Sequence, residues 1–187
     1  MISGLQKMTL LDYPGKVACT VFLSGCNFRC PFCHNSGLLE QADEEFMTQE
    51  ELLSFLRKRK GLLDGVCITG GEPTLQKDLG QLLAGIKAEG FLVKLDTNGT
   101  RPKVIRELAE KKLIDYVAMD IKNCPERYGA TVGVPNVTLN NIEESMQLLL
   151  SGVVDYEFRT TVMDELHDEE AMTKIGQWLQ RLNPHGQ

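Results

Sequence analysis

The feature that most constrains this chain is a repeated alternation of short apolar strands with amphipathic helices. Five β-prone runs are predicted as strands, and each is followed by apolar residues at helical spacing. This alternation is typical of a parallel sheet with right-handed crossovers. It fits a partial barrel or a doubly wound sheet, and both place their sites at the carboxyl ends of strands. The predicted strands are 17–23, 66–69, 91–95, 116–121 and 156–162.

The predicted helices carry recognisable start and stop residues. Thr48 and Glu51 have the spacing of a capping box. Asp78 suits an N-cap, and Pro102 suits the first turn of a helix running to about residue 112. Pro184 is expected to end the last helix.

Length and charge narrow the class of protein. The 187 residues predict one domain over 1–187, and the net charge of −6 argues against broad attraction to nucleic acid or an anionic membrane. No run of 18 apolar residues predicts a membrane span, and the first 11 residues do not resemble a signal peptide. The expected compartment is the cytoplasm. There the six cysteines are expected to be reduced thiols or metal ligands.

Three cysteines carry the strongest chemical signal. Cys26, Cys30 and Cys33 form C-x-x-x-C-x-x-C in one loop after the first predicted strand. Thiolates bind iron–sulfur clusters and zinc. Three thiolates leave one iron of a four-iron cluster open for chemistry. Zinc with His34 as fourth ligand is the alternative, although His34 directly follows Cys33 and no second C-x-x-C pair exists.

The other three cysteines are predicted to be structural. Cys19 and Cys67 lie inside strand runs, where a free cysteine is usually a small buried hydrophobe. Cys124 lies in a loop with no cysteine near it in sequence. An exposed, reactive Cys124 is the alternative.

A glycine-rich turn follows the second predicted strand. In Gly70-Gly71-Glu72-Pro73, the glycines allow a close approach of backbone to a ligand. Exposed amides there could hold an amino-acid-like group, and Glu72 could bind its ammonium. The alternative is a plain turn that ends in a helix-start proline.

Polar residues also follow the later strands. Asp96 and Asn98 could contact a ribose or form an Asx-turn. Asp120 and Lys122 flank the end of the next strand and could form a surface salt bridge. Arg159 lies within the fifth strand, where a charge lines a ligand cavity or pairs internally.

The cysteine loop and the Gly-Gly-Glu-Pro turn resemble, in order and spacing, the two best-known motifs of the radical S-adenosylmethionine superfamily. Within it, the chain is most similar to the activating proteins of glycyl radical enzymes. The nearest likeness is to those acting on anaerobic ribonucleoside-triphosphate reductase, because Asp12-Tyr13-Pro14-Gly15-Lys16 and the segment 25–35 are typical of that group. The resemblance covers nearly the whole chain.

The resemblance implies a partial (β/α)6 barrel that lacks its last strand, because this chain ends after the fifth helix. It implies that Cys26, Cys30 and Cys33 hold a [4Fe–4S] cluster whose open iron binds S-adenosyl-L-methionine. Reductive cleavage would yield a 5′-deoxyadenosyl radical, which would oxidise a glycine of a partner glycyl radical enzyme. The electron would come from flavodoxin or ferredoxin.

The resemblance also assigns roles to the remaining residues of the site. Gly70 to Pro73 would bind the amino end of the cofactor, and Asp96 would hold its ribose or nearby groups. Backbone at Phe32, Cys33 and His34 would contact the adenine. The groups around the carboxylate and the sulfonium would be Asp120, Lys122 and Arg159.

Three alternatives stay open at this stage. The partner could be another glycyl radical enzyme, of the pyruvate formate-lyase type. The enzyme could act on a small molecule or RNA, although no added cysteine cluster or basic domain supports this. The chain could also be a non-catalytic iron–sulfur remnant, since a last strand is missing.

Overall fold

One six-stranded sheet forms the centre of the computed structural model, which describes residues 1–183. The strands follow one another across the sheet in chain order, β1 to β6. Every neighbouring pair is parallel except the first, β1 with β2. The strands are β1 Ile2–Thr9, β2 Ala18–Leu23, β3 Gly65–Gly70, β4 Leu92–Thr97, β5 Tyr116–Asp120 and β6 Asp155–Arg159.

Helices connect the parallel strands. Three short 3₁₀ turns, at Ser36–Leu38, Pro73–Leu75 and Pro125–Arg127, accompany them. All five predicted strands and their following helices are therefore confirmed, with small differences at their ends. The α-helices are α1 Gln49–Arg57, α2 Leu79–Ala88, α3 Pro102–Glu110, α4 Tyr128–Thr131, α5 Leu139–Leu150 and α6 Glu169–Leu182.

The predicted helix caps are confirmed in part. The Thr48 hydroxyl accepts from the Glu51 amide at 3.2 Å, and the Glu51 carboxylate accepts from the Thr48 amide at 2.8 Å. Asp78 occupies the N-cap position of α2, but its side chain makes no capping hydrogen bond. Pro102 is the first residue of α3. Pro184 lies outside the described residues.

The strand order decides between the two architectures that the sequence leaves open. A doubly wound sheet reverses its strand order at a switch point. Here the order never reverses from β2 to β6, so right-handed crossovers place every connecting helix on the same face. This is the arrangement of a partial (β/α) barrel, whose inner face is free to line a site.

The N-terminal strand β1 is not anticipated by the sequence pattern. Its central residues Gln6, Lys7 and Met8 are exposed, and its pairing with β2 is interrupted by two register shifts. It lies at the edge opposite β6, so it does not replace the expected last parallel strand. Within residues 1–183 the outer edge of β6 has no strand partner.

The core lies between the sheet and its helices. Trp178 of α6 is 2% exposed and Tyr128 is fully buried, as are the three cysteines outside the motif. Burial raises the pKa of Cys19 to about 12 and also raises that of Cys67. The structural interpretation of Cys19, Cys67 and Cys124 is confirmed, and the alternative of an exposed Cys124 is wrong. In the described part of the chain, no helix is long and apolar enough to cross a bilayer.

Candidate functional site

A cavity of about 760 Å³ opens where the parallel strands end, within the range typical of ligand pockets. Of the residues predicted to bind the cluster or the cofactor, only Pro73 does not line it. Pro73 is buried and begins the short Pro73–Leu75 helix. The residues that do line it are Cys26, Cys30, Phe32, Cys33, His34, Gly70, Gly71, Glu72, Asp96, Asn98, Asp120, Lys122 and Arg159.

The cysteine loop, residues 26–33, follows β2 and is fixed by backbone contacts. The Cys26 amide donates to the Leu39 carbonyl at 2.9 Å, and the Arg29 amide donates to the Val132 carbonyl at 2.8 Å. The Arg29 guanidinium also donates to the carbonyl of Cys26 at 2.7 Å. Phe28 anchors the loop in the core at 3% exposure. The loop is therefore held in place by the protein itself.

The three thiols are partly buried and face the cavity. Burial raises the pKa of Cys26, and it raises that of Cys30 to about 11. Among residues 1–183, no three His, Cys, Asp or Glu side chains converge as the ligands of a single metal ion. The zinc alternative thus has no preformed ligand group there. A four-iron cluster makes a different demand, since each thiolate binds its own iron, and a loop with three sulfurs fits it.

The glycine turn after β3 is pressed against the cysteine loop. A Cβ on Gly70 would lie 2.2 Å from the Leu23 carbonyl oxygen, and one on Gly71 would lie 2.2 Å from that of Gly25. The Glu72 amide donates to the Gly25 carbonyl at 2.8 Å. The close approach predicted for these glycines is therefore made to backbone beside the cysteines, in addition to any ligand.

The buried Glu72 side chain connects two turns by hydrogen bonds. The residue is 1% exposed. Its Oε2 accepts from the Asn98 amide at 2.6 Å, and its Oε1 accepts from the Thr97 hydroxyl at 2.8 Å. Oε1 also accepts from the amide and the hydroxyl of Thr74. Burial raises the Glu72 pKa, while these donors favour the charged form. Because Oε2 accepts only one bond, the predicted ammonium contact retains an acceptor site and stays a prediction.

Ion pairs join three neighbouring strands on the cavity wall. Asp96 accepts from Lys94 Nζ at 2.5 Å, and its other oxygen lies 3.4 Å from Arg159 Nη2. Asp120 lies 3.3 Å from Arg159 Nε and 2.9 Å from Lys122 Nζ. Burial lowers the Arg159 pKa, but Asp96 and Asp120 raise it overall, so Arg159 stays charged.

This charged cluster corrects one expectation from the sequence and adds one residue that the sequence analysis did not single out. The pair of Asp120 and Lys122 exists, but it lines the cavity and is not a surface salt bridge. Lys94 was missed, although its side chain is only 1% exposed and pairs with Asp96. The available signal was a lysine within the otherwise apolar run Phe91 to Leu95. A lone charge in a buried strand indicates a side chain that faces the interior of a barrel.

Asn98 was predicted to contact a ribose or to form an Asx-turn, and the structure shows the turn. Its side-chain oxygen accepts from the Thr100 amide at 3.1 Å and from the Thr100 hydroxyl at 2.7 Å. Its amide nitrogen donates to Asn27 Oδ1 at 2.9 Å. Asn98 lines the cavity, but these bonds direct its side chain toward the cysteine loop.

The structure places His167, which the sequence analysis does not single out, behind the cavity wall at 6% exposure. Its Nδ1 accepts from the Met163 amide at 3.1 Å, and its Nε2 lies 2.8 Å from the Lys122 carbonyl oxygen. Its ring meets that of Phe32 edge to face at 6.5 Å. His167 therefore packs against the backs of two residues that line the cavity.

Comparison with known proteins shows which family this chain resembles. The profile described as the radical SAM superfamily matches residues 20–174. A protein of Methanocaldococcus jannaschii, provisionally named a glycyl-radical enzyme activating enzyme, is 39% identical over 94% of this chain and 73% of its own length. The pyruvate formate-lyase-activating enzyme of Clostridium pasteurianum is 35% identical over 65% of this chain and 52% of its own.

Other relatives carry different names. A protein of Thermococcus kodakarensis, provisionally named a GTP 3′,8-cyclase, is 33% identical over 78% of this chain and 47% of its own. The crystal structure of Streptococcus suis SuiB bound to S-adenosylmethionine superposes with a TM-score of 0.66 over 87% of this chain and 39% of that one, at 16% identity. The chain thus spans about half or less of most of these proteins, and at that identity the structural likeness concerns the fold.

Proposed function

Because this chain belongs to the radical S-adenosylmethionine superfamily, we propose that it activates a glycyl radical enzyme. The family uses a [4Fe–4S] cluster and S-adenosylmethionine. In this proposal residues 1–187 act as one radical S-adenosylmethionine domain. Its protein substrate is anaerobic ribonucleoside-triphosphate reductase, with a pyruvate formate-lyase-type enzyme as the alternative partner.

The observation that carries the proposal is the joint placement of the thiols and the charged cluster. Cys26, Cys30 and Cys33 line one part of the cavity, and Asp120 and Arg159 line another part of the same space. The three cysteines would hold the cluster. A zwitterionic amino-acid group needs both a cationic and an anionic partner. Arg159 would be the partner of its carboxylate, and Glu72 of the glycine turn would be the partner of its ammonium.

When bound, the cluster and S-adenosylmethionine supply a 5′-deoxyadenosyl radical, by one-electron reductive cleavage of a carbon–sulfur bond, that removes a hydrogen atom from a glycine Cα. The protein's own part is to bind, orient and exclude water. Arg159 would pair with the cofactor carboxylate, since this residue lines the cavity from β6. Asp96 and Asp120 hold that guanidinium in place.

The proposed substrate is another protein. The names of two relatives refer to activation of another enzyme, which supports this substrate class. The reductant would be flavodoxin or ferredoxin, and the compartment would be the cytoplasm.

A second candidate is a radical reaction on a small molecule. The likeness to a relative named a GTP 3′,8-cyclase favours it, since that name refers to a nucleotide substrate. The net charge of −6 gives no general attraction for nucleotides or RNA. For this reason we keep this reaction as the second candidate.

The test is an anaerobic assay for a glycyl radical on the partner. The reconstituted protein, a one-electron reductant and S-adenosylmethionine are mixed with anaerobic ribonucleoside-triphosphate reductase. We expect a doublet in the electron paramagnetic resonance spectrum and stoichiometric 5′-deoxyadenosine. A partner in which the radical glycine is replaced by alanine is the control and should give no doublet. A pyruvate formate-lyase-type partner is tested in parallel.

Two outcomes would contradict the assignment. Multiple turnovers on GTP or a tRNA, with no glycyl radical enzyme present, would favour the second candidate. A full cluster that binds no S-adenosylmethionine would favour the non-catalytic remnant.

A further inference from the structure

Three turns surround the mouth of the cavity, and each belongs to a different strand end. They are the cysteine loop 26–33 after β2, the glycine turn 70–73 after β3, and the turn 96–100 after β4. Backbone contacts join the glycine turn to Leu23 and Gly25, which lie directly before the cysteine loop. The Glu72 carboxylate then locks the glycine turn to the 96–100 turn.

A ring of side-chain hydrogen bonds closes the circuit from the third turn back to the first. Asn27 Nδ2 donates to Thr100 Oγ1 at 2.9 Å, and Thr100 Oγ1 donates to Asn98 Oδ1 at 2.7 Å. Asn98 Nδ2 donates to Asn27 Oδ1 at 2.9 Å. Each side chain donates one bond and accepts one bond in the ring. Such chains of hydrogen bonds strengthen one another.

Asn27 holds a special position in this ring. Within the described residues, its side chain makes all the hydrogen bonds between the cysteine loop and the 96–100 turn. Asn98 and Thr100 are 6% and 8% exposed, whereas Asn27 lies at the surface next to Cys26. The core does not need the Asn27 side chain, so its carboxamide can be removed without opening a cavity.

We propose that Asn27 is a positioning residue, which sets the orientation of the three cluster cysteines relative to the charged cluster to which Asp96 belongs. The inference rests on the proposed use of a cluster and S-adenosylmethionine. It does not rest on the identity of the substrate. Without the Asn27 side chain, the cysteine loop would still bind the iron–sulfur cluster, but it would be free to tilt away from the 96–100 turn. S-adenosylmethionine would contact both the iron–sulfur cluster and the charged cluster, so its affinity would fall.

The experiment compares three variants as reconstituted full-length protein without any partner. Asn27→Ala removes two bonds of the ring, and Thr100→Val removes two from the other side. Asn141→Ala is the matched control, because Asn141 is also an exposed asparagine and donates to the Thr100 carbonyl at 3.2 Å, but from α5 and without contacting the cysteine loop. Iron and sulfide content, S-adenosylmethionine affinity by equilibrium dialysis, and the electron paramagnetic resonance spectrum of the reduced cluster are measured for each.

We expect Asn27→Ala and Thr100→Val to keep a full cluster and to bind S-adenosylmethionine about tenfold more weakly, as the loss of roughly one net hydrogen bond would give. The change that S-adenosylmethionine causes in the cluster spectrum should be altered in both. The double variant should be no weaker than either single variant, since the ring acts as a unit. Asn141→Ala should match the wild type within about twofold.

Wild-type affinity and an unchanged spectral response in Asn27→Ala and Thr100→Val would overturn the proposal. So would equal losses in Asn141→Ala, because they would indicate a general loosening of the turn. Neither result depends on a glycyl radical. If the wild type forms no radical on its partner but the ring variants still weaken cofactor binding, the proposed function fails and the positioning role stands.

Discussion

Arg159 Nη2 lies 3.4 Å from Asp96 Oδ2, although β6 and β4 are separated by the whole of β5. The Arg159 side chain crosses the inner face of the sheet to reach Asp96, and it contacts Asp120 of β5 on the way. It is 37% exposed, so part of the guanidinium still faces the cavity. This residue therefore has two fixed acidic partners and donors left for a ligand.

Replacement of Arg159 should affect cofactor binding and leave the cluster intact. In Arg159→Ala we expect S-adenosylmethionine affinity to fall about tenfold to a hundredfold, because the carboxylate of the cofactor loses its charged hydrogen-bond donor. Iron content should match the wild type. Arg106→Ala, which removes an exposed arginine paired with Glu144, is the control and should change neither quantity. Unaltered affinity in Arg159→Ala would contradict its proposed contact with the cofactor.

Replacing the cysteines of the motif should abolish the iron–sulfur cluster, whereas replacing the buried cysteines should not. Cys26→Ala, Cys30→Ala and Cys33→Ala should each abolish the [4Fe–4S] cluster, because three thiolates are the minimum protein ligand set in the loop. The matched set Cys19→Ala, Cys67→Ala and Cys124→Ala should retain it, since these thiols are fully buried in the core. Iron and acid-labile sulfide analysis after anaerobic purification measures the outcome. Zinc in place of iron and sulfide would refute the cluster.

Alanine at two glycines should have opposite effects on stability. In Gly71→Ala the new Cβ would lie 2.2 Å from the Gly25 carbonyl oxygen, so backbone must shift, and we expect a loss of about 2–4 kcal/mol. In Gly176→Ala of helix α6 nothing lies within 4 Å of the new Cβ, so we expect a gain of about 0.5–1 kcal/mol. Urea unfolding of the cluster-free protein measures both. Equal stability of the two variants would contradict the close contact.

The pH dependence of stability should reflect Tyr13. Burial, with a contribution from Asp115, raises the Tyr13 pKa from 10.0 to about 12. The folded state therefore favours the neutral phenol. That contribution is complete below pH 10 and declines as the pH rises toward 12. Between about pH 10 and pH 12, Tyr13→Phe should lose less stability than the wild type, measured by urea unfolding of the cluster-free protein. Parallel pH profiles would show that Tyr13 does not contribute.

Local pattern was sufficient for most of the scaffold. The run Val17 to Leu23 is β-prone and apolar except at Thr20, because β2 is buried on both faces, and the Thr48 capping box marks the start of α1 directly. Strand β1 was missed because three of its residues are exposed and it pairs irregularly at an edge. Edge strands carry weak hydrophobic signals, since only part of each residue set is buried.

The site could be predicted residue by residue but not bond by bond. Cys26 was found from the spacing of three cysteines in one loop, and Arg159 from a charged side chain within a predicted strand. The ring through Asn27 was not found, since its partner Thr100 is 73 positions away in sequence. His167 was missed for the same reason, because its contact with Lys122 spans 45 positions. Such contacts depend on the register of the whole sheet.

The order of the strands has a consequence for how the chain is made. Because each strand pairs with the one synthesised just before it, the sheet can grow from one edge as the polypeptide leaves the ribosome. No strand has to insert between two that already exist. Asn27, Glu72, Asn98 and Thr100 all precede β5 in the chain, so they leave the ribosome before Asp120 and Arg159 do. During synthesis, Asp120 and Arg159 of the charged cluster would then join strands and turns that left the ribosome before them.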